Sequence, residues 1–385
     1  MAQPMLVTEL MEHEMPRPAD LRDTPFSPRY PQQIDEWIDV YGYAVPLWIT
    51  DPESEYDAVR TRAGALEYSM LYKWHVEGLG AAETVDAVVS RDVTKVAPGR
   101  IAYGFIASDE GTMIDDVTIA VQSEQHVIVT GGNQRTFASL TAAAKPGVRV
   151  TERRDESAVL SLQGPTSRSI LSALTDADLS NEGLPYYSFL SGLRIAGIEA
   201  SINRVGFTAE LGYEIIVKRD QALQLWDAVM LAGAPFGIQP IAAAALMMCR
   251  IEAGMIMGEL DYDDTVSPFE CRMGWAIDDK GPFQGSSALT SRRETDSGRV
   301  VTLLVDASPQ DAEGARLELD GVDVGYVSMA VPSPVLAGAT IAMARVHRDA
   351  SAVEASLVVV GPNAMSTAQV ISTPVYDPER RRVRS

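Results

Sequence analysis

The chain has 385 residues, 46% of them hydrophobic and 22% charged, with a formal net charge of −21. That length exceeds one ordinary core and fits two or three domains, while the composition excludes wholesale disorder. The acidic excess repels phosphate backbones and excludes nucleic acid as a partner; the basic cluster Arg380, Arg381, Arg382 and Arg384 reads as a solvated tail.

In chain order, residues 1–30 are rich in Pro and acidic residues and are expected to form an extended arm. They show no basic n-region or apolar h-region, so no secretory leader is expected. Pro52 to Arg62 reads as a helix with Asp51 as N-cap and Pro52 at its first position. Trp74 to Gly78 reads as a strand, and Ala81 to Ser90 as a helix. Ile101 to Ala107 and Met113 to Val121 are strands around the turn Ser108-Asp109-Glu110-Gly111. A strand is predicted at His126 to Thr130 and a helix at Asn133 to Ala143. Ala158 to Leu162 is a strand closed by Gly164-Pro165, before a helix over Thr166 to Leu174. Leu193 to Asn203 and Gly212 to Lys218 are read as strands, Gln221 to Ala232 and Ile241 to Met257 as helices. Beyond Gln284 the short β-rich segments Val300–Val305, Arg316–Leu319, Val322–Ser328 and Ser356–Val360 predict a small all-β domain.

The apolar run Ile241 to Met257 contains Arg250 and Glu252 and is too short to span a bilayer, so no membrane insertion is expected. Cys249 and Cys271 make no metal or disulfide spacing, and His13, His75, His126 and His347 are scattered. No metal is therefore expected, and the compartment read from cysteine usage is the reducing cytoplasm.

Several charged residues sit where strand patterns call for apolar ones. Side chains alternate along a strand, so Asp115 shares a face with Val117, Ile119 and Val121, and Asp116 with Ile114, Thr118 and Ala120. The small side chains beside Asp116 leave room for a ligand, and a desolvated carboxylate there can bond or exchange a proton with an amine or leaving group. The plainer alternative is that the pair caps a hairpin. Glu214 lies opposite the apolar face of Tyr213, Ile215 and Val217; it either faces solvent or needs a partner with donors, such as the parallel N–H groups of an aminopyrimidinone ring. Arg250 and Glu252 are two residues apart and must each find a partner on another element, a structural ion pair being the simpler reading. Cys249 reads as a small core residue. Gly131-Gly132 before a helix offers an anion site, but GxGxxG and P-loop strings are absent, so no nucleotide is expected.

Taken in order, these stretches resemble the glycine-cleavage T-protein (aminomethyltransferase) family. Ala44-Val45-Pro46-Leu47-Trp48 is similar to its "W-x-x-P-L-x-Y", and Arg60 to Ser69 to "R-x-x-x-G-x-F-D-V-S". Tyr103 followed by Gly111 to Val117 resembles "Y-x-x-x-x-x-x-x-G-G-x-x-D-D-L", and Ser161 to Pro165 resembles "x-x-Q-G-P". Arg204 to Glu214 resembles "R-T-G-Y-T-G-E-x-G-[FY]-E", Cys249 to Gly254 "x-R-L-E-A-G", and Ser267 to Glu270 "x-P-x-E". The resemblance implies an α+β, three-domain fold around a central folate channel, with a β-barrel-like C-terminal domain. It divides the chain into an arm (1–30), a split folate-binding domain (31–68 plus 157–283), a second α/β domain (69–156) and a β-rich domain (284–385). It implies tetrahydrofolate as cofactor, Asp116 as the catalytic aspartate, and Tyr103, Asp116, Phe207 and Glu214 as the residues that hold folate.

Departures from the family strings bear on the carbon donor. Phe207 stands where the family has Tyr, and Leu246, beside Met247, where it has Arg four residues before Arg250. Ser69-Met70-Leu71-Tyr72 replaces "S-H-M-G", and Gly285-Ser286 replaces "G-K". Met70, Tyr72, Leu246, Met247 and Arg250 are thereby expected to line the donor pocket. The expectation is a demethylase that moves a methyl or methylene group from O, N or S of a small apolar or aromatic molecule to N5 of tetrahydrofolate. An acidic surface and an apolar pocket leave a carrier protein out of the expected partners. The alternatives are the glycine-cleavage aminomethyltransferase and a non-catalytic folate-binding accessory protein. The accessory marker "K-G-C-Y-x-G-Q" has no counterpart at Phe269-Glu270-Cys271-Arg272.

Overall fold

A computed structural model describes residues 17–385, so the first part of the arm expected over 1–30 lies outside the described residues. Residues 17–30 lie against the body of the protein. Phe26 is fully buried with its ring centroid 5.7 Å from that of Trp226, and the Arg29 guanidinium forks onto Asp227 at 2.6 Å.

Three β-systems organise the chain. A six-stranded sheet runs in the order Phe189–Ile195, Ile198–Asn203, Gly212–Lys218, Ser157–Gln163, Gly64–Glu67, Gln239–Pro240. A five-stranded sheet, from the sequence between two of those strands, runs Ile101–Ala107, Met113–Ser123, His126–Gly131, Tyr72–Glu77, Arg149–Glu152. Gly298–Val305, Ala339–His347, Val322–Ser333, Arg316–Leu319, Ser356–Val360 and Met365–Ile371 close into a barrel, which leaves no free sheet edge. The α+β architecture with a terminal barrel expected from the sequence is the one observed.

Alternation decides which face of each strand is buried. In Met113–Ser123, Asp115, Val117, Ile119 and Val121 point into the core while Asp116, Thr118 and Ala120 are only partly covered. Fully covered side chains such as Ile119, Leu160 and Ile215 contribute roughly 1.5–3 kcal/mol each.

Some elements differ from expectation for local reasons. Leu193 to Asn203 is not one strand: Ala196 (φ 49°) and Gly197 (φ 81°) turn the chain back into a hairpin, with Ile195 paired to Ile198. The helix expected over Ile241 to Met257 is shorter, Ala243–Glu252, because Gly254 takes φ 64° just past its end. The three residues that follow leave the helix and become cavity wall.

Gln163 locks the register next to Glu214. Its amide donates to Ser161 Oγ at 3.0 Å and to the Val205 carbonyl at 3.2 Å. A Cβ at Gly206 or Gly212 would lie 2.1 or 2.0 Å from Gln163 Oε1, so a side chain at either position would displace the Gln163 amide from these bonds. The strand Gly212–Lys218 thus starts at a fixed point, two residues before Glu214.

Candidate functional site

A cavity of about 1230 Å³ lies between the two sheets and the segments around the barrel. Ordinary small-molecule sites occupy roughly 300–1,000 Å³, so this cavity is larger than one such site requires. Among the described residues, seven of the eleven non-glycine residues with positive φ line this cavity, so the backbone strain is concentrated in its wall.

Asp116 is clamped from two sides in the cavity. Its strand neighbours Phe105 and, two pairs on, Tyr103 hold it at the partly covered face of the five-stranded sheet. Tyr103 Oη donates to Asp116 Oδ2 at 2.8 Å, and the Tyr262 hydroxyl donates to Oδ1. The Asp116 N–H in turn donates to Tyr262 Oη at 3.0 Å. Burial raises the Asp116 carboxyl above the usual carboxylate range, against the two tyrosine hydroxyls that favour its charged form.

Asp115 faces the other way and organises backbone. It accepts from Gly132 N–H and Asn133 N–H, each at 3.1 Å, and from Thr136 Oγ1 at 2.8 Å, tying the start of the helix Arg135–Ala142 to the sheet. Burial, then the adjacent Asp116 charge, push it up to about 8. The paired glycines read as a possible anion site therefore serve this carboxylate: a Cβ on Gly131 would lie 2.3 Å from Asp115 Oδ2.

Glu214 enters from the six-stranded sheet, half-buried, opposite Asn203 and Ser161 in register. Burial pushes its carboxyl up to about 7, with Lys73 pulling the other way. Lys73 is itself lowered to about 8 by burial, and its ammonium donates to the Ser69 and Leu71 carbonyls at 3.3 and 2.9 Å. The Tyr68 hydroxyl, in the field of Glu214, is buried without a hydrogen-bond partner, as is Thr373 Oγ1 on the far wall.

Of the residues singled out from sequence, Tyr103, Asp116, Phe207, Glu214 and Leu246 line the cavity. Met70, Tyr72, Met247 and Arg250 do not. Met70 packs with Tyr43 and Val45, and Tyr72 stacks on Trp74 at 5.5 Å beneath the Arg154 guanidinium. Met247 lies against the central core. Arg250 is wholly buried, paired with Asp261 and donating to Met255 O at 3.3 Å; Glu252 accepts from Arg60 at 2.9 Å and from Tyr56 and Ser333 at 2.7 Å. Their side chains point to the inner face of the helix, where no ligand reaches. Cys249 is buried in the same core, its thiol pushed up to about 12.

Tyr262, Tyr68 and Arg272 were not legible as site residues. Tyr262 sits in an irregular stretch, Asp261-Tyr262-Asp263-Asp264, whose composition reads as an acidic loop. Strand pairing also joins two histidines that are far apart in sequence: His75 Nδ1 lies 3.0 Å from His126 Nε2, with Glu77 near enough to complete the one such metal-capable trio among the described residues. Arg149 and Arg153 already engage Glu77, at 3.0 and 2.5 Å.

This arrangement, three β-systems around a cavity that carries a tyrosine-clamped aspartate and a desolvated glutamate, has the room and the proton-handling groups of a group-transfer enzyme. Residues 28–280 match the GCVT N-terminal domain and residues 299–377 the glycine cleavage T-protein C-terminal barrel domain, and the chain belongs to this family. It is 35% identical to the aminomethyltransferase of Streptomyces coelicolor over 318 residues, covering 80% of this chain and 84% of that one. It is 30% identical to the aminomethyltransferase of Halothermothrix orenii over 342 residues, 88% and 95% of the two chains. Its fold superposes on the glycine cleavage system aminomethyltransferase T of Bartonella henselae with a TM-score of 0.83, at 22% identity and 93% and 98% coverage. Membership makes the chain a one-carbon transferase, and aminomethyltransferases of this family use tetrahydrofolate.

The absence of a carrier-protein partner, expected from the apolar substitutions, is not sustained. The relatives are named aminomethyltransferases, and the superposed structure is named the aminomethyltransferase of a glycine cleavage system, which stands against leaving a carrier protein out. Among the described residues, no helix is long and apolar enough to cross a membrane.

Proposed function

We propose that the protein transfers an aminomethyl group from a protein-borne lipoyl arm to tetrahydrofolate, with Asp116 as the group that handles the proton. The observation that carries this is the clamp of Tyr103 and Tyr262 on Asp116 inside a cavity larger than one small-molecule site requires. The relatives' names support the aminomethyl donor.

The cavity fits a reduced folate on chemical grounds. Glu214 offers a desolvated carboxylate to a ring bearing two parallel N–H groups, and the orphaned Tyr68 hydroxyl beside it is free to bond the same ring. Tetrahydrofolate, when bound, supplies two amine nitrogens that take up the carbon while ammonia and the freed thiol leave. Asp116 is held rigid by its two hydroxyl donors, so its reach toward a developing ammonium is fixed in advance. Unpaired, buried Cys249 and Cys271 support a cytoplasmic setting.

A second reading is favoured by Phe207 and Leu246, which both face the cavity: methyl transfer from a small molecule. There the carbon–heteroatom bond breaks, the carbon bonds to N5, and the N5 proton passes to the heteroatom. Incubation of the protein with tetrahydrofolate and either an aminomethyl-loaded lipoyl carrier or a panel of methylated small molecules, followed by mass spectrometry of the folate, separates the two. Methylene-folate from the carrier alone supports the first reading; methyl-folate from a small molecule alone replaces it with the second.

A further inference from the structure

We propose that Arg272 anchors a carboxylate on a small molecule that brings a carbon to this cavity. The inference rests on the one-carbon-transfer reading and names a donor class for it. It would add a small-molecule donor to the carrier-borne one, since an amide-linked arm has no such carboxylate.

Arg272 lines the cavity, and none of the described residues accepts a hydrogen bond or forms an ion pair with its guanidinium; Nη2 is fully covered and partnerless. A guanidinium does not discharge on burial, so the wall holds a charge that the fold itself leaves uncompensated. Asp261 is the carboxylate whose field reaches it. That carboxylate is already committed to the Arg250 ion pair, to Ser328 Oγ at 2.7 Å and to Met257 N–H at 2.9 Å.

The backbone adds an independent observation. Arg272 has φ 65°, a region that glycine enters freely and other residues enter with strain. A large, half-buried, unpartnered cation is thus held where folding alone favours glycine. Strain of this kind persists where it serves a site.

Position favours the donor over the distal end of folate. Arg272 lines the same cavity as Asp116 and as Phe207 and Leu246, the two cavity residues that depart from the family strings on the donor side. Its fork matches a carboxylate through two parallel N–H···O bonds, a geometry that neither an amide nor an ester reproduces.

The test is calorimetric titration of the full chain, saturated with tetrahydrofolate, with 3-methoxybenzoate, N-methylglycine and the carboxamide of each. At least one acid is expected to bind roughly tenfold or more tightly than its amide. Arg272→Gln should abolish that preference and Arg272→Lys keep part of it. Arg272→Gly should also abolish it while leaving the melting temperature unchanged or higher, which separates loss of the anchor from loss of fold. With folate bound, no acid–amide preference in the unmodified protein overturns the proposal, as does a preference that survives Arg272→Gln. If Arg272→Gln weakens tetrahydrofolate but not a pteroate analogue lacking the glutamate, the carboxylate belongs to folate and the donor assignment is wrong. Failure of the unmodified protein to bind any reduced folate removes the underlying reading instead.

Discussion

Tyr262 and Asp116 hold each other through both ends of the aspartate: the tyrosine hydroxyl donates to Oδ1 and accepts from the Asp116 backbone N–H. The residue before Tyr262 is Asp261, whose ion pair with Arg250 is fully enclosed. A helix in the core thereby sets the angle of a carboxylate in the cavity, through one loop.

Removing the Tyr262 hydroxyl tests that linkage. A donor to the charged form lowers a carboxyl's pKa, so Tyr262→Phe should raise that of Asp116 further. The acidic limb of the pH–rate profile is expected to move to higher pH, with folate affinity changed little. An unmoved limb would show that Asp116 does not titrate in the rate-determining step.

Asp116→Asn keeps the shape and both tyrosine neighbours but removes the base. Turnover is expected to fall roughly 10²–10⁴-fold, in the range of a lost general acid–base group. Calorimetry should show folate still bound. Undiminished turnover would rule out the proton-handling role.

Glu214 links binding to stability with opposite signs. Its folded carboxyl titrates at about 7 against an ordinary 4.5, so between those values the folded chain holds a proton that the unfolded chain has released. Stability therefore falls as pH rises through that window. Glu214→Gln should melt at the same temperature as the parent near pH 4 and at a higher temperature near pH 8. The same substitution should weaken folate binding by roughly 10–100-fold, the range of a charge-assisted hydrogen-bond pair. Equal folate affinity in the variant would remove Glu214 from the ring-binding role.

Arg250→Met breaks an enclosed pair and strands Asp261. The expected loss is about 3–5 kcal/mol of stability, read by denaturant unfolding. Because Asp261 also caps the turn at Met257 N–H, turnover should fall in the folded fraction too. Arg250→Met with Asp261→Asn should recover part of the stability, since no bare charge remains.

Much of this was legible in residues whose pattern conflicts with their neighbours. Asp116 and Glu214 stand out because strand alternation fixes their face, whatever the tertiary structure does. The barrel was visible as short β-rich segments, though Ala339–His347 and Met365–Ile371 are diluted by Ala, Met, Ser and Gln, which weakens their strand signal. Met247 and Arg250 were misplaced because helical spacing gives a face but not what that face meets, and here it meets the barrel strand Val322–Ser333. Tyr262 and Arg272 come from a long irregular stretch after a helix. Nothing periodic orients such a segment; only the ion pair at Asp261 and the close packing around it do.

The cavity is walled by side chains from both sheets and by Thr373 and Tyr376 beyond the last barrel strand. An occupant would act as mortar across walls that already share one apolar core, since that core draws on both sheets and on the barrel. Opening any one wall forfeits the whole binding free energy, so melting is expected to move to higher temperature as the ligand saturates. A substitution that loosens one wall while leaving affinity nearly intact would melt lower in the free protein and recover most of that loss once the ligand is bound.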